Sequence, residues 1–281
     1  MSMPEAAFRA ITALARSEAG LAIAPGKVAM VEARVRRRLR ALGIADYREY
    51  CALIEGSSEA SAAERRALVN AMTTNVTALF RERHHFPVIA EHVARALSDR
   101  SRRNVSIWSA GGSDGSEGVS ALLSVAAAVP CLDLARLRVV VTDIDDDAIA
   151  AAERGLYPLA FLTAEDRLRF APLIATRDDG LFALVPALRA RIEVRRHNLV
   201  RSPAAGLGFD VVLCRNVLIY FDDVTKRLVQ DSLVAAVRPG GMLFLGHSER
   251  LLPEATGADQ MTRVGITCFR RELAGRRLAC Q

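Results

Sequence analysis

The sequence predicts an α/β protein: a parallel sheet wrapped by helices, preceded by a small all-helical domain. Three observations predict it. Beyond about residue 100, short apolar runs ending at polar or glycine clusters alternate with helical stretches, the pattern of successive βα units. Residues 5 to about 72 instead carry apolar residues at helical spacing and no convincing strand. The composition, 51% hydrophobic and 25% charged over 281 residues, is that of a folded chain long enough for two unequal domains.

Taken in order, "FRAITALARSEAGLAI" and "KVAMVEARVRRRLRALGI" predict helices that break at glycine, and "YREYCALI" and "AAERRALVNAM" continue the pattern. In the second of these helices Val31, Val35 and Leu39 mark the side that packs inward. Arg34, Arg37 and Arg38 recur at i, i+3 and i+4, and Arg36 and Arg40 form a neighbouring pair, so a basic face is expected there, which the spacing alone reads as a solvated one. His84 and His85 are adjacent and face different sides of a helix, which points to packing or capping and to no metal site. Strands are predicted in "NVSIWSAG", "RLRVVVTDID" and "FDVVLCRNV", with helices in "EGVSALLSVAAAV", "DDDAIAAAERGLY" and "DVTKRLVQDSLVAAV". "RPGGMLFLGHSE" reads as a turn followed by a strand, and "TRVGITCFRR" as another strand. The stretch 158–195 is irregular and too long for a simple loop, so an insertion is expected there.

The net charge of +6 is almost entirely arginine and favours an acidic partner. The few aromatic residues argue against base stacking, so nucleic acid is not the expected partner. Five scattered cysteines, Cys51, Cys131, Cys214, Cys268 and Cys280, form no CxxC, so neither a zinc site nor a disulfide framework is expected. The N-terminal residues have no long apolar core and no stretch has the length of a membrane span. A cytoplasmic protein without membrane insertion is expected.

In a doubly wound sheet, ligands bind outside the carboxyl ends of the strands. The segment "VSIWSAGGSDGSEGVSALL" reaches such an end at Gly111, Gly112 and Gly115. Its spacing is not GxGxxG, so a dinucleotide site is a poor match. One βα unit later "VVVTDID" ends at Asp143, where a carboxylate can accept hydrogen bonds from both hydroxyls of a ribose. Asp145 is the better helix N-cap. "HNLV" at His197 to Val200 and the end of "FDVVLCRNVLIYF" bring further polar residues to strand ends. Glycine turn, acidic strand end, polar fourth strand end and the PGG segment occur in the order found in S-adenosylmethionine-dependent methyltransferases.

Four motifs carry a more specific resemblance: "MTTNVTALFRERHHF", "VVVTDIDDDAIAAAERGLYP", "FDVVLCRNVLIYF" and "GGMLFLGHSE". They resemble the chemotaxis receptor methyltransferases of the CheR family, over nearly the whole chain. The resemblance implies a Rossmann-like class I methyltransferase sheet over 83–281, a small inserted β-subdomain, and an all-helical receptor-docking domain over 1–82. It implies S-adenosylmethionine as cofactor and transfer of its methyl group to glutamate side chains on the cytoplasmic helices of chemoreceptors, by a monomer. It implies cofactor contacts from Asn75, Thr77, Arg81, Glu117, Asp143, Asn198, Leu199, Asn216 and Val217, with Tyr220 as the catalytic residue beside the reacting end. Arg81 is suited to pair with the methionine carboxylate as a planar fork.

The glycine turn departs from the family's pattern: Gly112 replaces a cysteine, Val119 an aromatic residue, and Gly118 is additional. The expectation is a loosened turn that Val119→Tyr with Gly118→Pro would tighten. The alternative readings are a non-catalytic cofactor-binding or scaffold protein, and a small-molecule carboxyl methyltransferase.

Overall fold

The computed structural model describes residues 2–129, 134–202, 206 and 208–273. Cys131 and Cys280 therefore lie outside the described residues. The chain divides into two compact units, one of residues 1–74 with 220–226, the other of residues 75–219 with 227–281.

The first unit holds helices α1 (Glu5–Ala19), α2 (Val28–Leu42), α3 (Tyr47–Glu55) and α4 (Glu59–Met72). Local chemistry sets their starts. Asp46 accepts the Glu49 N–H at 2.9 Å to begin α3, and Ser58 accepts the Ser61 N–H at 3.0 Å to begin α4, each satisfying a donor that lacks a helical partner. Val31, Val35 and Leu39 are buried as their spacing predicts. Residues 220–226 complete the unit: the Tyr220 carbonyl accepts the Ala22 N–H at 2.8 Å, Phe221 bridges Leu21, and Asp222 pairs with Arg16.

The expected basic face of α2 is corrected here. Arg34 turns to the end of α4, where Nη1 donates to the carbonyls of Ala71 (3.1 Å) and Thr73 (2.8 Å) and Nη2 to Thr74 Oγ1 (3.2 Å). Arg38 grips Glu64, which is buried and also accepts the Tyr50 hydroxyl at 2.7 Å. Helical spacing puts Arg34, Arg37 and Arg38 on one side, but two of the three serve the interior of the unit. Arg36, Arg37 and Arg40 remain exposed.

The second unit begins with α5 (His85–Ser98) and alternates through β1 (Val105–Ala110), α6 (Ser116–Ala128), β2 (Leu137–Asp143) and α7 (Asp146–Arg154). After β3 (Tyr157–Pro158), α8 (Ala164–Phe170), β4 (Ile174–Thr176), β5 (Leu181–Leu184) and α9 (Pro186–Arg189) come β6 (Ile192–Arg196), β7 (Phe209–Cys214), α10 (Asp223–Ala236), β8 (Val237–Leu245), β9 (Met261–Gly265) and β10 (Cys268–Arg271). Among the described residues the strands form a seven-stranded sheet in the order β6-β2-β1-β7-β8-β10-β9 and a three-stranded sheet in the order β3-β5-β4. The strands from β6 to β8 are parallel, and β10 and β9 are antiparallel. Parallel strands buried on both faces read as continuous apolar runs, as in Val211–Cys214 of β7, where every residue is buried. Cys214 sits in that run, and burial pushes its thiol far up.

Two expectations for this unit change. The inserted stretch stops short of residue 195, because Ile192–Arg196 is the outer strand of the main sheet, paired in parallel with β2. The PGG segment is not a separate turn. It lies inside β8, where the pairing with β7 shifts register between Phe209 and Val211, and a Cβ on Gly241 would fall 2.9 Å from the Phe209 carbonyl oxygen. Among the described residues no helix is long and apolar enough to cross a membrane.

Candidate cofactor site at the carboxyl edge of the sheet

From β1 the chain steps outward to β2 and β6, then returns to β7 on the other side of β1. The order reverses between β1 and β7, and such a reversal opens a crevice at the carboxyl ends of the two strands. The glycine turn fills the space after β1. Gly111 (φ +70°) and Gly115 (φ +85°) adopt the left-handed backbone that glycine takes without cost. A Cβ on Gly111 would lie 2.6 Å from Val217 Cγ2, so the turn after β1 abuts the segment after β7.

The turn is tightly packed, which overturns the expectation of slack. A Cβ on Gly118 would meet Val141 Cγ2 at 2.7 Å, and one on Gly112 would meet Val141 Cγ1 at 2.8 Å. These glycines let α6 lie close on β2. Val119 is 1% exposed and belongs to the main core. A tyrosine there would be overpacked, and a proline at 118 would collide with the strand.

Asp143, at the end of β2, is buried. Its Oδ2 accepts the Ser113 N–H at 2.8 Å and its Oδ1 the Asp145 N–H at 3.0 Å. Burial pushes the carboxyl above its ordinary value, against the pull of these backbone donors. Asp145 caps α7, accepting the N–H groups of Asp147 (2.9 Å) and Ala148 (3.3 Å) on Oδ1, as its position predicts. Its Oδ2 accepts Asn75 Nδ2 at 2.7 Å, which ties the segment before α5 to the β2 end. Thr77 is half-buried in that segment, and exposed Arg81 donates to the Val76 carbonyl at 3.0 Å.

After β6, His197 donates its N–H to the Asp143 carbonyl at 2.7 Å, and its ring lies edge-on to Trp108, centroids 5.8 Å apart. Asn198 Oδ1 accepts the Val200 N–H at 2.9 Å, which holds Asn198 and half-buried Leu199 in a turn at the same edge. After β7, Asn216 takes a left-handed φ of +60°. Asn75, Glu117, Asp143, Asn198 and Asn216 thus all lie at or beyond this edge. Tyr220 ends a short 3₁₀ turn (Leu218–Tyr220) and belongs to the helical unit.

The motifs concealed a charged cluster. Arg215, with a side chain 2% exposed, lies 3.1 Å from Glu117 and 3.3 Å from Glu82, and donates to the Arg81 carbonyl. Glu117 also accepts the Ser109 hydroxyl at 2.8 Å. Burial raises its carboxyl above the ordinary value and outweighs the opposing pull of Arg215. For Glu82, burial also works upward but loses to His247 and Arg215, and the carboxyl falls to about 2. Glu249 is buried too, and accepts the N–H groups of Asn216 (2.9 Å) and Gly246 (2.7 Å). Arg215, Glu82 and Glu249 stand in the motifs "CRNV", "FRE" and "GHSE". Their adjacency to recognised polar positions was the available signal.

Comparison with known proteins assigns the two units in turn. Residues 6–73 match the family model described as the CheR methyltransferase all-alpha domain, and residues 75–266 match the one described as the CheR methyltransferase SAM binding domain. The chain is 39% identical to a chemotaxis protein methyltransferase of Klebsiella aerogenes, over 89% of this chain and 84% of that one. It is 36% identical to a chemotaxis protein methyltransferase of Escherichia coli, over 89% and 86%. It is 34% identical to a probable chemotaxis protein methyltransferase of Rhizobium etli, over 92% and 97%.

Proposed function

We propose, because this chain belongs to the CheR methyltransferase family and so is an S-adenosylmethionine-binding methyltransferase, that its methyl acceptors are glutamate side chains on the cytoplasmic helices of chemoreceptors. The observation that carries this reading is the presence of both family domains in sequence, each over nearly its whole unit. The scaffold alternative rested on a loosened glycine turn, and the close packing of Gly112 and Gly118 on Val141 removes that support.

The residues at the carboxyl edge fit the cofactor by their chemistry. Each oxygen of Asp143 keeps acceptor capacity beyond its backbone partner, which suits a ribose diol. Arg215 Nε is buried without a hydrogen-bond partner among the described residues, so a donor remains for a ligand. In this reading Asp143 holds the ribose. Asn198, Leu199, Asn216 and Val217 flank the cofactor from the ends of β6 and β7, while Asn75, Thr77, Arg81 and Glu117 close over it, with Arg81 on the amino-acid carboxylate. Tyr220 positions the acceptor glutamate.

When bound, the cofactor supplies an electrophilic methyl group on a sulfonium. A glutamate acceptor is already ionised at neutral pH, with an ordinary pKa of about 4.3, so no general base is required of the chain. The protein aligns the acceptor for in-line transfer and strips its water. Exposed Arg36, Arg37 and Arg40 on α2 supply the positive surface that draws an acidic receptor helix.

The test is incubation with methyl-labelled S-adenosylmethionine and membranes bearing chemoreceptors. Base-labile label on receptor glutamates is the expected result. Label on free carboxylic acids alone would replace this reading with a small-molecule methyltransferase.

A further inference from the structure

We infer that Glu249, assisted by Glu82, is a positioning residue that fixes Asn216 for cofactor recognition; this rests on the reading of Asn216 as a cofactor contact. Asn216 has a left-handed backbone, φ +60°. Asparagine tolerates that conformation better than most residues, and here its surroundings also hold it. Two carboxylates do so. Glu249 Oε2 accepts the main-chain N–H of Asn216 at 2.9 Å, and Glu82 Oε1 accepts its side-chain Nδ2 at 3.3 Å. Main chain and amide are therefore held separately, and the bond to Glu82 determines which end of the amide remains as acceptor.

The same oxygen of Glu249 accepts the Gly246 N–H at 2.7 Å. It thereby joins the chain beyond β7 to the chain beyond β8. The strands themselves are already paired as far as Cys214 and Leu245, so this link acts on the segment past the ladder, where the crevice opens. Gly246 makes room for it: a Cβ there would fall 2.7 Å from both Asn216 N and Nδ2, and 2.8 Å from Glu249 Oε2. Glu82 is itself fixed by the backbone N–H and ring Nδ1 of His247, at 3.2 and 2.9 Å. Glu249, Glu82 and Gly246 thus converge on one asparagine, with His247 behind Glu82.

The experiment measures S-adenosylmethionine affinity by calorimetry in the full chain carrying Asn216→Ala, Glu249→Met, Glu249→Gln, and Asn216→Ala combined with each Glu249 change. Glu249→Met keeps the volume and removes the acceptor. It is expected to weaken binding about tenfold, the effect of losing one charged hydrogen bond that holds a contact in place. Glu249→Gln keeps an acceptor oxygen and is expected to recover most of that loss. In the Asn216→Ala background, Glu249→Met should weaken binding no further, because its effect runs through Asn216. Equal losses in both backgrounds, or full affinity in Glu249→Met, overturn the inference. Unchanged affinity in Asn216→Ala alone overturns instead the contact assignment on which it rests. Should Glu249→Met fail to fold, Gly246→Ala takes its place, with weakening expected in the parent and none in the Asn216→Ala background; equal losses there again overturn the inference.

Discussion

Arg38 meets Glu64 through two parallel hydrogen bonds, Nε to Oε1 at 3.0 Å and Nη2 to Oε2 at 2.6 Å. The glutamate is 4% exposed and takes the Tyr50 hydroxyl as well. Removing the guanidinium leaves a buried carboxylate with one partner. Arg38→Ala should therefore lower stability to urea by about 1–3 kcal/mol, while Arg37→Ala leaves the unfolding midpoint in place. A loss of receptor methylation in a variant lacking Arg38 reports folding before docking. Arg37 is the residue on which docking is tested cleanly.

Glu82 gives a pH signature. Its carboxyl is lowered from 4.5 to about 2 in the folded protein, so it binds its proton less readily there than in the unfolded chain. The stability it contributes is fully present above about pH 4.5 and is lost as pH falls toward 2, with an upper bound of about 3 kcal/mol. Glu82→Gln removes the titration. Denaturation at pH 6 should separate parent from variant, and the gap should narrow at pH 3. A gap that stays constant with pH would remove the charge on Glu82 as its source.

Asp143→Ala deletes the ribose acceptor and should weaken S-adenosylmethionine binding by roughly 1–3 kcal/mol. It also orphans the buried N–H groups of Ser113 and Asp145, so the melting temperature should fall in the same variant. Calorimetry under conditions where the variant is fully folded separates the two effects. Unchanged affinity there would remove Asp143 from the cofactor.

Gly118→Ala brings a methyl group to 2.7 Å from Val141 Cγ2. Overpacking of this kind costs about 1–3 kcal/mol, to be read as a lowered melting temperature. Trimming the opposing side chain, Val141→Ala, should partly restore stability in the double variant. Purely additive losses would place the strain elsewhere.

The sequence made legible what depends on one element at a time. The apolar run Val211–Cys214 of β7 reads as a strand. Asp145 stands one residue before a helix and reads as its cap. Val31, Val35 and Leu39 share a helical stripe and read as core. What escaped depends on a third body. β6 is an outer strand whose residues, Ile192–Arg196, are half-buried or exposed, so no apolar run announces it. Arg34 and Arg38 lie on the same side as exposed Arg37, and only the positions of Thr73 and Glu64 turn them inward. Gly118 looked like slack because Val141, which needs its missing side chain, is twenty-three residues away. Glu82, Arg215 and Glu249 are distant in sequence, and no spacing rule assembles them.

The helical unit is not contiguous along the chain: residues 220–226 belong to it, with Phe221 bridging Leu21 and Asp222 pairing with Arg16. This has a consequence for biosynthesis. At roughly 5–20 residues per second on the ribosome, that segment is made about 7–30 s after Thr74. The nascent helices must wait through translation of β1 to β7 before Leu21 and Arg16 receive their partners. A ribosome stalled anywhere in that interval carries helices without their closing segment, so completion of the amino-terminal unit is a late event in the making of this chain.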